Sequence, residues 1–213
     1  MIPTPVAIMS PARVAIRSRR TVVGAVLALA LASVAAASPP TASPPAFKAG
    51  VFDPPREAPD FTLQGSNGDE LTLSRYRGKV VLLAFGYSSC PGVCPVTLAT
   101  FASARRKLGA AAADVQVVYV TVDPERDDAG RLKHFLAGFD RTFIGGTGTD
   151  AQLAAVRKEY GISASKIPMG DSYLFSHSSF TYLIDRAGKI RALMPYGHSP
   201  DDFVNDLTIL LKQ

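Results

Sequence analysis

The sequence predicts an α/β domain with a central mixed sheet flanked by helices, on three observations. Two apolar runs, residues 80–87 and 115–122, have the length and composition of buried strands in parallel sheets. Between them, residues 95–108 show helical spacing of apolar residues, with proline at the first position. A strand, helix, strand unit of this kind is expected to hold its two strands parallel, and its crossover is almost always right-handed.

Elements on both sides extend this unit. Residues 60–64 and 70–74 alternate apolar and polar side chains around a Gly-containing turn, which indicates a small hairpin. After the second strand, Asp127 or Asp128 can cap a helix that continues to residue 139. The capping box that starts at Thr149 opens a further short helix, which ends at Gly161.

The C-terminal third completes the fold class. Residues 162–176 show no clear pattern, whereas residues 179–185 and 189–193 have the pattern of a second hairpin with a tight turn. Ser199, followed by proline and two acids, caps a final helix. The order strand, helix, strand, helix, hairpin, helix is typical of a thioredoxin-like fold, here with an N-terminal hairpin extension.

The N-terminus has the pattern of an export signal. Residues 1–20 contain four arginines and no acid, and the apolar run 21–37 ends in small residues. We expect export to the periplasm or another extracytoplasmic compartment, with cleavage near Ala37. Because a run of this length is close to the minimum of about 17 residues for a membrane span, an uncleaved anchor in the inner membrane is the alternative.

Seven prolines between Ser38 and Pro59 predict an extended linker over residues 38–58. The expected organisation is therefore a signal peptide or membrane anchor at 1–37, this linker, and one folded domain at 59–213. That length is sufficient for a single hydrophobic core.

The overall charge does not indicate a nucleic-acid partner. The chain has a formal charge of +5, and removing the four arginines of the leader leaves +1. The sequence pI of about 9.3 therefore comes mostly from the leader. We expect a monomer that meets a membrane only through residues 21–37.

The only two cysteines, Cys90 and Cys94, stand in the loop after the first buried strand. Cys94 lies at or just before a helix N-terminus, where free N–H groups and the helix dipole favour thiolate over thiol. Such a pair can close as a redox-active disulfide or bind a metal that prefers sulfur, Cu(I) before harder ions. A purely structural disulfide is the third interpretation, because a lone pair in an exported protein is most often that.

His177 is the histidine best placed to complete a site, because it lies just before the strand 179–185, which is expected beside the cysteine strand. Two thiolates and an imidazole suit copper and, less specifically, zinc, which normally takes a fourth ligand. A hydrogen-bonding loop histidine is the alternative interpretation. His134 is expected to be solvated on a helix, and His198 to be a loop residue near a helix cap.

Asp123 ends the second buried strand, so its carboxylate can approach the cysteine loop from the neighbouring strand end. One interpretation is a residue that orients His177 or a thiol. The other is a turn former, because proline follows it directly.

Three blocks of this sequence resemble the signature blocks of the Sco/SenC family. They are Phe85-Gly-Tyr-Ser-Ser-Cys-Pro-Gly-Val-Cys-Pro95, Val120-Thr-Val-Asp-Pro-Glu-Arg-Asp127 and His177-Ser-Ser-Phe-Thr-Tyr-Leu-Ile-Asp185. They occur in the family's order, and the similarity spans about residues 59–213. The cysteine block combined with a distant histidine is quite specific.

The resemblance implies a thioredoxin-fold protein that binds Cu(I) or Cu(II) and helps to assemble the CuA centre of cytochrome c oxidase outside the cytoplasm. The family's copper ligands would be Cys90, Cys94 and His177, with Asp123 as the supporting acid. The expected partners are the copper-bearing oxidase subunit and an upstream thiol reductant. That reductant is needed because copper enters only a reduced pair, and Cys90 and Cys94 would form a disulfide when oxidised.

Two functions remain open at this stage. The first is a copper metallochaperone. The second is a thiol–disulfide oxidoreductase that acts on an exported partner protein, although such reductants normally have two residues between their cysteines and this chain has three. A peroxidase is a weaker third option, and fold alone does not decide among them.

Overall fold

The computed structural model describes residues 46–213. Four α-helices and ten strands alternate along this part of the chain. The helices are α1 (Val93–Leu108), α2 (Ala129–Ala137), α3 (Asp150–Glu159) and α4 (Pro200–Leu211). The strands are β1 (Gly50–Glu57), β2 (Thr62–Gly65), β3 (Glu70–Thr72), β4 (Val80–Gly86), β5 (Val115–Thr121), β6 (Ile144–Thr147), β7 (Ala164–Met169), β8 (Ser172–His177), β9 (Thr181–Ile184) and β10 (Lys189–Met194).

Eight strands form one mixed sheet in the order β1-β10-β9-β4-β5-β6-β2-β3. The three central strands β4, β5 and β6 are parallel, whereas the strands outside them pair antiparallel. This is a thioredoxin-like fold with helices flanking a mixed sheet, and it confirms the fold class expected from the sequence.

The two apolar runs that predict the core are the strands at its centre. Every residue of β4 and of β5 is buried, as expected for strands covered on both faces. Their register pairs Val80 with Val115 and Gly86 with Thr121, so both strands end at the same edge of the sheet. The cysteine loop follows one strand and Asp123 follows the other, so the topology alone brings these two segments together.

The helices pack on this sheet through apolar faces. On α1 and α4, Phe101 and Phe203 meet edge to face with 5.1 Å between ring centroids. The capping box that starts at Thr149 is present at α3, and Ser199 caps α4 together with Asp202. Asp128 is the residue that caps α2, because its side chain accepts the N–H of Arg131. Asp127 instead accepts hydrogen bonds from Ser88 in the cysteine loop.

In the second half of the domain, three strands lie where the sequence predicts none. β7 and β8 form a separate two-stranded sheet in the stretch 162–176, with the turn at Gly170 in the positive-φ region that favours glycine. Gly170-Asp171 between two alternating segments is the signal that could have revealed this hairpin. β6 is short and holds two adjacent glycines, so its propensity signal is weak.

β1 lies inside the range predicted as a linker, and here the structure differs from the prediction. The strand contains Pro54 and Pro55 and is largely exposed, yet it pairs antiparallel with β10 at the edge of the sheet. An edge strand tolerates proline, because one side of its backbone forms no ladder hydrogen bonds. The folded domain therefore begins before residue 59. The predicted leader at residues 1–37 lies outside the described residues.

Between residues 46 and 213, no helix combines the length and hydropathy needed to cross a membrane.

Asp206 on α4 fastens the segment ahead of β1. Its buried carboxylate accepts the backbone N–H groups of Lys48 at 2.7 Å and Ala49 at 2.9 Å. Asn205 adds a bond from its amide to the Ala46 carbonyl at 2.9 Å. The start of the domain is therefore held to its last helix by side chain to backbone hydrogen bonds.

We expect Asp206→Ala to lower the free energy of unfolding by about 2–4 kcal/mol, because two backbone N–H groups lose their acceptor. The matched control is Asp201→Ala on the same helix. The Asp201 side chain is 74% exposed, and its removal should change stability by no more than about 0.5 kcal/mol. Urea denaturation followed by circular dichroism measures both, and equal effects would contradict this role of Asp206.

Candidate metal centre

The two cysteines lie at the carboxyl end of β4, where the chain turns into α1. Cys94 is the second residue of the helix and is 3% exposed, whereas Cys90 is half-buried in the preceding loop. Both are free thiols in this structure. The expected position of Cys94 at a helix N-terminus is thus observed.

Asp127 holds the cysteine loop in place. Its fully buried carboxylate accepts the Ser88 N–H at 2.9 Å, the Ser88 hydroxyl and the Thr121 hydroxyl, the last at 2.7 Å. Arg131 supports the same turn by donating to the Ser88 hydroxyl at 2.7 Å and to the Ser89 hydroxyl at 3.0 Å. The loop that carries Cys90 and leads to Cys94 is therefore anchored to the end of β5 through hydrogen bonds to a carboxylate.

His177 is the last residue of β8 and faces the buried sulfur. Its Nε2 lies 3.5 Å from the Cys94 Sγ. Its Nδ1 lies 2.9 Å from the Ser178 carbonyl oxygen, which can only accept, so Nδ1 is assigned the proton. In the neutral ring, the Nε2 lone pair is therefore directed at Cys94, as a metal-ligating imidazole requires.

Tyr87 joins the cysteine loop to the hairpin that carries His177. Its buried hydroxyl accepts the Phe175 N–H at 3.2 Å. Its ring meets the Phe175 ring edge to face at 5.7 Å and the His177 ring at 5.9 Å between centroids. Two segments far apart in sequence are therefore packed as one unit.

Asp123 acts on the hairpin and makes no hydrogen bond to His177 or to either cysteine. Its fully buried carboxylate accepts the Tyr173 hydroxyl at 2.9 Å and pairs with the Arg126 guanidinium. Arg126 also donates to the Tyr173 carbonyl at 3.0 Å and stacks on the Tyr173 ring at 3.8 Å. Asp123 thus positions β8, four residues before the histidine, through Tyr173.

The two thiols differ in acidity. The pKa of Cys90 lies well below its ordinary value, chiefly because the Cys94 thiol donates a hydrogen bond to the Cys90 sulfur. The pKa of Cys94 is raised, because that same bond retains its proton and because the sulfur is buried. The reduced pair therefore shares one proton, with the negative charge on the more exposed sulfur.

A cavity of about 10 Å³ lies between Cys94, His177, Tyr119 and Phe180. That volume is about what one water molecule needs, so the cavity has room for an ion. The 3.5 Å between sulfur and nitrogen is shorter than the sum of a metal–sulfur and a metal–nitrogen bond, about 4.3 Å for zinc. One ion can therefore contact both atoms.

Cys90, the third candidate ligand, does not converge with Cys94 and His177 in a preformed site. Across the described residues, no group of three His, Cys, Asp or Glu side chains converges as a preformed metal cage. The structure brings Cys94 to His177 and Cys90 to Cys94. A three-ligand centre would require Cys90, on its loop, to adjust toward the histidine.

A family model described as SCO1/SenC matches residues 52–212 of the chain. The chain belongs to the SCO1/SenC family. The resemblance drawn from the three sequence blocks is confirmed, and the match extends further toward the N-terminus than those blocks, into β1.

The similarity of this chain to known relatives supports that assignment. The SCO2-like protein of Rickettsia conorii is 33% identical over 151 residues, which cover 70% of this chain and 74% of that protein. Bradyrhizobium japonicum ScoI, solved with copper bound, superposes with a TM-score of 0.68 at 33% identity, covering 72% of this chain and 99% of that one.

A third relative, BsSco, is described as a member of the Sco family of cytochrome c oxidase assembly proteins in which a disulfide switch was identified. It superposes on this SCO1/SenC protein with a TM-score of 0.60 at 27% identity, covering 74% of this chain and 95% of that one.

Among the residues that build this site, four were not assigned to it from the sequence: Tyr87, Arg126, Asp127 and Tyr173. Tyr87, Arg126 and Asp127 stand inside two of the quoted blocks, so their motifs gave a signal, but Asp127 was considered only as a helix cap. Tyr173 lies in the stretch without a predicted element. His134 is exposed on α2 and His198 lies 3.4 Å from the Asp202 carboxylate, in agreement with the roles expected for them.

We expect Cys90 to be alkylated by iodoacetamide at pH 5 almost as fast as at pH 8, because its lowered pKa keeps it a thiolate throughout this range. In Cys94→Ala the donor is lost and the pKa of Cys90 rises toward about 8.5. Alkylation of that variant should then be at least tenfold slower at pH 5 than at pH 8.

Mass spectrometry of anaerobically reduced protein follows the reaction. Cys90→Ala serves as the control, because it leaves only the buried Cys94 and should react slowly at every pH. A wild-type rate that falls with pH like that of an ordinary thiol would contradict the proposed charge distribution.

Proposed function

We propose that this protein is a copper metallochaperone that binds one ion through Cys90, Cys94 and His177 and delivers it to the CuA centre of cytochrome c oxidase. Copper is the cargo in this proposal. The observation that carries it is the approach of the unprotonated Nε2 of His177 to the Cys94 sulfur at 3.5 Å, beside a second reduced cysteine. Family membership and a relative solved with copper support it.

The donor set suits copper on chemical grounds. Thiolates are soft ligands that favour Cu(I), and imidazole also binds copper well. Zinc usually takes four ligands in a structural site, whereas this set has three. A small ligand set of two sulfurs and one nitrogen is therefore better matched to Cu(I).

Delivery follows from the unequal exposure of the ligands. Cys94 and the partly buried His177 would hold the ion from the protein side, whereas the half-buried Cys90 lies closer to solvent. A ligand of the recipient can approach on the Cys90 side and displace that sulfur first. The exchange moves the ion without changing its oxidation state, and Cys90 takes up a proton or remains a thiolate.

The compartment sets a second requirement. We propose that residues 1–37 direct export or anchor the chain through residues 21–37. In an oxidising compartment the pair would close as a Cys90–Cys94 disulfide, so a thiol reductant has to act before copper binds. The recipient is then the copper-bearing subunit of the oxidase.

Anaerobic titration with Cu(I) against a chromophoric chelator tests the ligand set. We expect one tightly bound Cu(I) per wild-type chain and at least about tenfold weaker binding by His177→Ala, because one of three ligands is lost. His134→Ala is the matched control, since His134 is exposed on α2. Equal affinity of wild type and His177→Ala would refute the assignment of His177.

One observation favours a second candidate, a thiol–disulfide oxidoreductase: the more exposed Cys90 carries the lowered pKa and the buried Cys94 lies behind it. In that reaction the Cys90 thiolate attacks a partner disulfide, a mixed disulfide forms and one partner thiol leaves. Cys94 then attacks the Cys90 sulfur, which releases the second partner thiol and leaves a Cys90–Cys94 disulfide for an external reductant.

We expect wild-type protein to reduce a test disulfide no faster than dithiothreitol alone, because three residues separate the cysteines and Cys94 is buried. Absorbance of a chromogenic disulfide measures the rate. Catalytic turnover that is lost in Cys90→Ser and retained in His177→Ala would instead favour the oxidoreductase over the metallochaperone.

A further inference from the structure

The Tyr119 hydroxyl is a buried polar group without a partner. Tyr119 lies on β5, and its side chain is 1% exposed. Within the described part of the chain, its hydroxyl oxygen makes no hydrogen bond. An unpaired buried hydroxyl is costly, so a natural protein that retains one calls for a physical reason.

The hydroxyl is directed at the buried cysteine. A Cβ placed on Gly86 would lie 2.1 Å from the Tyr119 hydroxyl oxygen and 2.8 Å from the Cys94 Sγ. The oxygen and the sulfur therefore surround the space that glycine leaves empty at the end of β4. Tyr119 also lines the cavity of about 10 Å³ together with Cys94 and His177.

Two groups near this hydroxyl have other contacts. On the α2 side, the Tyr119 ring packs against the Phe135 ring at 6.3 Å between centroids. The Asp127 carboxylate is occupied by Ser88 and Thr121. The acceptor that lies across the space beside Gly86 from this hydroxyl is the Cys94 sulfur.

We propose that Tyr119 is a positioning residue for the metal ligand Cys94, and that its hydroxyl donates a hydrogen bond to the Cys94 sulfur when that sulfur binds a metal as a thiolate. This inference rests on the proposed function. A thiol is a weak acceptor, whereas a thiolate is a strong one. A metal-bound thiolate carries negative charge into a buried site, and His177 directs a lone pair at it, so the hydroxyl is the donor at hand.

Tyr119→Phe removes only the hydroxyl and keeps the contact between its ring and the Phe135 ring of α2. We expect roughly tenfold weaker Cu(I) binding, because a hydrogen bond to a charged sulfur is lost. We also expect the sulfur-to-metal charge-transfer band of the Cu(II)-loaded protein to move to lower energy, because a thiolate without a donor is more electron-rich. Chelator competition and absorption spectroscopy measure these effects.

Tyr182→Phe is the matched control. Tyr182 is also buried in the core, but its hydroxyl donates to the Tyr160 carbonyl on the β9 side of the sheet. Its loss should lower stability and leave affinity and band position unchanged. If Tyr119→Phe behaves in the same way, with only stability altered, its role is structural and the proposal is overturned.

The two proposals fail in different ways. Tight Cu(I) binding by wild type with no change in Tyr119→Phe leaves the proposed function intact and refutes the inference. If wild type takes up no Cu(I), the proposed function fails. Cd(II), which binds thiolates whatever the biological role, then reports on Tyr119: a sulfur-to-cadmium band that differs between wild type and Tyr119→Phe supports the hydrogen bond, and an identical band refutes it.

Discussion

Two buried carboxylates at the end of one strand hold the two halves of the site. Asp127 accepts three hydrogen bonds that fix the cysteine loop and the end of β5, and Asp123 accepts from Tyr173 and pairs with Arg126 beneath the hairpin. Both carboxylates are fully buried, so each would be strongly destabilising without these partners. The distance between Cys94 and His177 depends on both sets of contacts.

This arrangement explains why the histidine can be supplied by an element outside the main sheet. β7 and β8 pair only with each other, and an isolated two-stranded hairpin has little stability of its own. Its position comes from Tyr87 on the cysteine loop and from the Asp123, Arg126 and Tyr173 contacts. A ligand on such a hairpin can shift slightly on metal binding, whereas the buried first turn of α1, which carries Cys94, stays fixed.

The central unit of the fold could be predicted from sequence because its signals are local. Two apolar runs, a proline-started helix and good capping residues specify β4, β5, α1 and the caps of α3 and α4. β1 could not be predicted in this way, because an exposed edge strand with two prolines is held by backbone pairing to a partner over 130 residues away. Local composition carries no record of such a partner.

The candidate ligands could be predicted from the sequence, whereas the residues that position them could not. Cys90, Cys94 and His177 could be singled out from residue type and position, whereas the roles of Asp127, Tyr173 and Tyr119 could not. Each of these three acts through a buried polar contact with a distant segment. A tyrosine in an apolar strand, such as Tyr119, is expected to be an ordinary core residue. The space beside Gly86 and the shared cavity show that the Tyr119 hydroxyl lies near the Cys94 sulfur and not in a hydrophobic layer.

A carrier has to bind its ion firmly and still release it. The three candidate ligands differ in burial, so different ligands can meet these two requirements. Cys94 is enclosed by β4, α1 and the Tyr119 ring, so a recipient cannot reach it directly. Cys90 lies on a loop whose anchor, Ser88, is two residues away, so its sulfur can move without breaking the contacts of Asp127. Firm binding would therefore come from Cys94 at the buried start of α1, and release would begin at Cys90 on the loop.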